Sequence, residues 1–303
     1  MASLSPAEKD YIVSGLLSDP PLRADGRALL SPRPIHTEYG VMPAANGSAR
    51  VRVGGTEAVA GVKLDVTEVP KGSYDAGGEW RAKVEVDITP QALPAADSKT
   101  LQTLSASYAA LLAEHFVPSL PPLKITETRA FVPSLHVALL SCDGAVAAAL
   151  ALAARAALAD LQVPNTRVVG MEEEADAETQ ADLAGIKGAI AAGRAGKGKG
   201  KARARGGDDW DIDGEAAPLE GRETLPVLVT LNVAGDREFV DATLREEAAC
   251  PARVHVFVRP GGRTAGVRME GDGSLATERI RPMLEEARRI GLELAAALNA
   301  DLP

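Results

Sequence analysis

The sequence predicts a mixed α/β protein of two related domains in which sheets pack against helices. Three observations predict it. Runs of period-two alternation are followed by a helical stretch in the first half of the 303-residue chain, and again at its C-terminal end. Aromatic residues make up only 3% of a chain that is 46% hydrophobic, so the core must rest on Ala, Val and Leu, which suits helix-on-sheet layers. Between the halves, residues 171–222 lose apolar periodicity.

Taken in order, Ser5-Pro6-Ala7-Glu8 offers an N-cap serine, a proline at the first helical position and a glutamate at the third. A short helix is predicted there, stopping before Pro20-Pro21, so residues 1–30 read as a helical arm. The first domain, 31–170, opens with a hairpin. Ala49, Val51 and Val53 alternate with polar partners, Gly54-Gly55 turns the chain, and Ala58, Ala60, Val62, Leu64 and Val66 share one face. Trp80, Ala82, Val84, Val86 and Ile88 point inward from a strand predicted to be antiparallel. A helix over 100–115, a buried strand over 135–140 and an Ala-rich helix over 144–161 follow, with Asp143 placed as its N-cap.

Acidic residues crowd 172–182, basic ones 194–205, and acidic ones return over 208–220, so 171–222 is expected to be a charged, disordered insertion. The second domain, 223–303, should contain strands over 225–233, 238–240, 254–259 and 264–269, with turns at Ala234-Gly235-Asp236 and Pro260-Gly261-Gly262. A helix over 277–298 closes it.

The net charge of −9, from 33 basic and 42 acidic residues, argues against binding a polyanion over the whole surface. Cys142 and Cys250 are too few for a disulfide framework, and a reducing, intracellular compartment is expected. No long apolar run suggests a membrane span, and no signal-peptide pattern stands at the N-terminus. His36, His115, His136 and His255 lack metal-ligand spacing and read as surface or satisfied core residues. Glu246-Glu247 reads as an exposed turn. The run Arg194, Lys197, Lys199, Lys201, Arg203 and Arg205 contains no acid. It can grip RNA phosphates, serve nuclear import or be a solvated spacer, and these readings stay open.

The run Arg23-Ala24-Asp25-Gly26-Arg27, then Arg33-Pro34, Glu38 and Asn46-Gly47-Ser48-Ala49-Arg50-Val51-Arg52-Val53-Gly54-Gly55-Thr56 resembles the opening of RNase PH-family proteins. Pro226-Val227-Leu228-Val229-Thr230-Leu231, Val240-Asp241-Ala242-Thr243, Glu246-Glu247 and Ala252-Arg253 resemble that family's C-terminal domain. With the arm Ser5-Pro6-Ala7-Glu8-Lys9 and Gly61-Val62-Lys63, the resemblance is to ring subunits of the RNA exosome. It implies an RNase PH-like fold and a six-membered ring. The implied neighbours are a catalytic-type subunit and a messenger RNA transport regulator-like subunit. S1-domain RNA-binding proteins would cap the ring, with RNA in its channel. The implied localisation is nucleus, nucleolus and cytoplasm, with no membrane partner.

The resemblance also shows departures. Active members place a Gly-Thr-Arg run at the start of the helix after the buried strand, where N–H groups and the helix dipole favour phosphate. Here that place reads Asp143-Gly144-Ala145-Val146. Their carboxylate pair, six residues apart, falls on Glu247 and Arg253, and Tyr108-Ala109-Ala110-Leu111-Leu112-Ala113 has no arginine. A non-catalytic structural subunit without metal or cofactor is therefore expected, supporting 3′-to-5′ RNA degradation and processing, including ribosomal RNA maturation. The alternatives are an active phosphate-dependent 3′-to-5′ exoribonuclease and a free-standing RNA-binding protein using the basic run.

Overall fold

The computed structural model describes residues 4–70, 81–168, 210–271 and 275–303. Helix α1 (Pro6–Leu17) begins as its sequence dictates. The Ser5 side chain accepts the Glu8 N–H at 3.3 Å while the Glu8 carboxylate accepts the Ser5 N–H at 2.8 Å.

Six strands form the first sheet: β1 (Ile35–Tyr39), β2 (Gly47–Val53), β3 (Thr56–Glu68), β4 (Lys83–Ile88), β5 (Leu123–Lys124) and β6 (Arg129–Ser141). Their order is β1-β2-β3-β6-β4, with β5 also against β6. The predicted hairpin forms, with Val51 opposite Ala58 and both buried. Its inward face ends before Val66, which is 45% exposed.

One expectation is corrected here. β4 runs parallel to β6, with Val84 opposite Leu135 and Ile88 opposite Leu139. The reason is topological: helix α2 (Ser98–His115) lies between them in the chain and packs on β4, and a helical crossover returns the next strand in the same direction. The alternation itself holds, with Val86 and Ile88 buried and Glu85 and Asp87 exposed. Trp80 lies outside the described residues.

Helix α3 (Val146–Ala159) follows β6, and every residue of it except Ala148 is buried. It is covered on both sides. One side packs on β2 and β3, the other on β11 (Val227–Ala234), a strand of the second sheet. Ala at most positions of α3 lets two sheets approach one helix closely.

The second sheet has the order β12 (Arg237–Val240), β11, β13 (Arg253–Val258), β14 (Thr264–Glu270), all antiparallel. Alternation assigns its two faces. Leu228 and Phe257 join the core around α3, while Val227, Val229, Val256 and Val258 pack against helix α5 (Thr277–Ala300). Four layers result: sheet, helices α2 and α3, sheet, helix α5. Gly291 lets α5 approach closely, since a Cβ there would stand 2.7 Å from Val258 Cβ.

The end of the expected insertion also differs. Strands β7 (Gln162–Val163) and β8 (Thr166–Val168) pair with β10 (Ala217–Pro218) and β9 (Trp210–Ile212) respectively. Leu219 is buried. Residues 210–222, read as disordered from their acidity, thus contain strands whose partners lie at 162–168. Residues 171–209 of that insertion lie outside the described residues.

Candidate functional site

The segment 23–33 crosses from the arm to the first sheet and carries three arginines that converge on the second domain. Arg23 is buried and holds Glu246 with two bonds, Nε at 2.9 Å and Nη2 at 2.7 Å. It also donates to the carbonyls of Val240 and Asp241, and its guanidinium lies 5.4 Å from the Phe239 ring centroid. Arg27 donates to the Asp241 carboxylate at 2.9 Å and to its carbonyl at 3.0 Å.

Arg33 completes the junction. Its Nε and Nη2 donate to the two Asp241 oxygens at 2.9 and 2.7 Å, and its backbone N–H donates at 2.6 Å. Its Nη1 reaches the Asp143 carboxylate and carbonyl, both at 3.0 Å. One side chain therefore ties the arm to the end of β6 and to the strand end at Asp241. Burial works against ionising Asp241, but the bonds and charges of Arg33 and Arg27 outweigh it and hold the carboxyl below its ordinary range.

Asp143 is thus not the N-cap expected of it. The cap position of α3 is Ala145, in the left-handed region at φ 51° with no side-chain cap. Arg33 takes the Asp143 carboxylate, and the Asp143 N–H donates to Thr56 Oγ1 at 2.8 Å. Gly144, at φ 88°, lies against α4 (Leu244–Ala249). A Cβ there would collide with the Ala242 carbonyl and stand 2.6 Å from Thr243 C.

Glu246 and Glu247 are not an exposed turn. They lie in the first turn of α4, where Thr243 and Glu246 form a capping box, a Thr-x-x-Glu signal legible in the sequence. Glu247 Oε1 accepts the Ala145 N–H at 2.9 Å and pairs with Arg253 Nη1 at 3.2 Å. A carboxylate of this chain therefore sits at the N-terminus of α3, where the backbone favours an anion. Burial raises the Glu247 carboxyl above its ordinary range despite Arg253 and the Ala145 N–H.

Beside this pair lies a cavity of about 60 Å³, lined by Tyr108, Cys142, Val146, Leu244, Arg253 and Glu270. Burial raises the Tyr108 hydroxyl and the Cys142 thiol above their ordinary ranges. His255 is satisfied in the core, with Nδ1 3.0 Å from Thr230 Oγ1 and Nε2 2.9 Å from Glu270. The residues here do not fit a catalytic metal, because Glu247 is already committed to Arg253 and Ala145. Among the described residues, no group of three or more His, Cys, Asp or Glu is arranged to hold one.

Arg194, Lys197, Lys199, Lys201, Arg203 and Arg205, the candidate RNA contacts, lie outside the described residues. The Arg23, Arg27, Arg33 and Asp241 junction escaped sequence reasoning as a site, since its partners stand 208–223 residues apart.

Residues 31–164 match the 3′ exoribonuclease family, domain 1, known as RNase PH. The chain is similar to exosome complex component rrp42 of Schizosaccharomyces pombe, 24% identical over 308 residues, covering 93% of this chain and 88% of the relative. It is also similar to exosome complex component Rrp42 of Methanosarcina mazei, 26% identical over 298 residues, covering 96% and 92%. Among solved structures, an archaeal exosome core superposes with a TM-score of 0.66 at 21% identity, covering 97% of this chain and 96% of that one. A chain of the Archaeoglobus fulgidus exosome, solved with RNA bound to the active site, gives 0.65 at 20% identity, covering 96% and 98%. At that identity the likeness establishes a shared fold.

Proposed function

We infer, from a chain whose residues 31–164 match the RNase PH family, that this protein is a ring subunit of an exosome that supports RNA degradation and processing without performing phosphorolysis itself. The observation that carries the non-catalytic reading is the Glu247 carboxylate, bonded to the Ala145 N–H and paired with Arg253. Phosphorolysis needs donors free to hold inorganic phosphate and carboxylates free to hold a metal. Here the donor at the head of α3 is already taken by a carboxylate that would repel phosphate. The next side chains, Ala145 and Val146, supply neither hydroxyl nor guanidinium.

The ring reading draws on the similarity to exosome components along most of the chain. Its neighbours would be RNase PH-like subunits, of catalytic type on one side and messenger RNA transport regulator-like on the other. S1-domain proteins would cap the ring over an RNA channel, and the localisation would be that of the assembly, in nucleus, nucleolus and cytoplasm. Apolar side chains exposed on β14, Val267 and Met269 at 44% each, support burial of that edge by a partner. The arginine junction has a mechanical role in this reading, since it bonds the arm to the end of β6 and to the second domain at Asp241 and Glu246.

Native mass measurement of the complex purified through this chain tests the assignment. The expected mass is that of a ring with different RNase PH-like chains, whereas a well-behaved monomer at high concentration would leave the free-standing RNA-binding reading in place.

A further inference from the structure

The face of the second sheet that α5 covers continues past the helix. Helix α5 packs on β11 and β13, and β14 is the edge strand next to β13. Val267 and Met269 of β14 stand opposite Val256 and Val254 of β13, so all four point to one side. The β13 pair is buried in the cluster under α5, whereas Val267 and Met269 are each 44% exposed. The other face of β14 is already taken, since Arg268 donates to Ser107 Oγ of α2 at 3.2 Å.

Three arginines stand at one end of this shelf. Arg259 and Arg263 flank the turn that leads into β14, and the Arg259 N–H donates to the Arg263 carbonyl at 2.9 Å. Arg288 of α5 lies against the same turn, because a Cβ on Gly262 would stand 2.8 Å from its Nη2. Among the described residues, none of the three guanidinium groups has an ion-pair or hydrogen-bond partner. Arg279, Arg281 and Arg289 of the same helix all pair with glutamates.

We propose that β14 receives an extended segment of another protein chain as an added strand, with alternate apolar side chains on Val267 and Met269 and a carboxylate at its end that meets Arg263 and Arg288. Three features select this occupant together. The outer backbone groups of an edge strand are matched by another strand. Val267 and Met269 are two residues apart, the period at which an added strand presents one face. The unpaired arginines call for an anion, and a carboxylate fits the guanidinium fork. RNA meets only the last of these, since Val267 and Met269 offer no aromatic face on which bases could stack. The proposal rests on the assembly inferred above only for the source of the strand, which is a co-purifying chain.

The test uses the assembly purified through the full chain. Arg263→Lys keeps the charge and supplies an amine that a carbodiimide joins to a carboxylate in contact with it. The expected crosslink is to an Asp or Glu at the end of an apolar-alternating segment of a co-purifying chain. In a second variant, Arg263→Glu with Arg288→Glu, recovery of that same chain should fall about tenfold while the unfolding midpoint of the separated subunit stays unchanged. Both side chains are exposed and unpaired, so the fold does not depend on them. A double variant that keeps every partner, no crosslink from position 263, or a crosslinked segment without the alternation would overturn the proposal. So would loss of the partner on ribonuclease treatment, which would make RNA the occupant. A chain that purifies alone overturns the assembly reading and this proposal together, whereas an intact assembly carrying the double variant overturns this proposal alone.

Discussion

Asp241 sits in the left-handed region at φ 49°, a conformation few side chains other than Asn and Asp tolerate, and it accepts from Arg27 and Arg33 together. Asp241→Asn keeps that backbone tolerance and removes only the charge. With the side chain 7% exposed, two arginines would be left facing a neutral amide, and a loss of about 3 kcal/mol is expected in urea unfolding at neutral pH. The sign with pH follows from the lowered carboxyl. Its contribution is fully present above the ordinary aspartate range, near about pH 4, and is lost as pH falls through the lower folded value. The difference between the wild type and Asp241→Asn should therefore shrink below that pH. A constant difference would show that the charge is not what matters. None of this could be read from the sequence, where Asp241 is one acid among many. Asp143 misled for the same reason: its place before Gly144 suggested a cap, but a distant arginine outbids a local helix end.

At the scale of elements, α3 bears the most consequence, because two sheets share it. Ala154, fully buried there, has no free side on which a larger residue could relax. Ala154→Leu is expected to cost about 2–3 kcal/mol through overpacking, with a lower Tm and a loosening of both sheets by hydrogen exchange. Protection lost from one sheet alone would contradict the shared layer. Most elements were legible: alternation gave the faces of β2 and β3, turn-bounded apolar runs gave the strands of the second sheet, and the Ser5 box gave α1. The direction of β4 was misread as antiparallel, because alternation reports a buried face and is silent on the direction of the partner. The helix between β4 and β6 did carry that information. Strand β1, with Ile35, Thr37 and Tyr39 on one side, was also within reach of the period-two rule.

For the whole molecule, Val168 and Trp210 stand opposite each other across β8 and β9, so the chain leaves and returns at one place. Replacing residues 170–208 with a short Gly/Ser turn should leave the fold and co-purifying partners unchanged, as unfolding midpoints and native mass would show. Loss of partners would mean that the segment belongs to an interface.

The assignment as a non-catalytic subunit rests on the head of α3, and one measurement addresses it most directly. The purified chain is given magnesium, inorganic phosphate and single-stranded RNA, and nucleoside diphosphates are measured. Losing one preorganised group that stabilises transition-state charge costs about 100- to 1,000-fold in rate, and groups acting as a unit do not rescue one another singly. No release above background is expected, and none after Arg253→Asp, since Ala145 and Val146 would still offer phosphate nothing. Phosphate-dependent shortening of RNA by this chain alone, abolished by Glu247→Gln, would contradict the account.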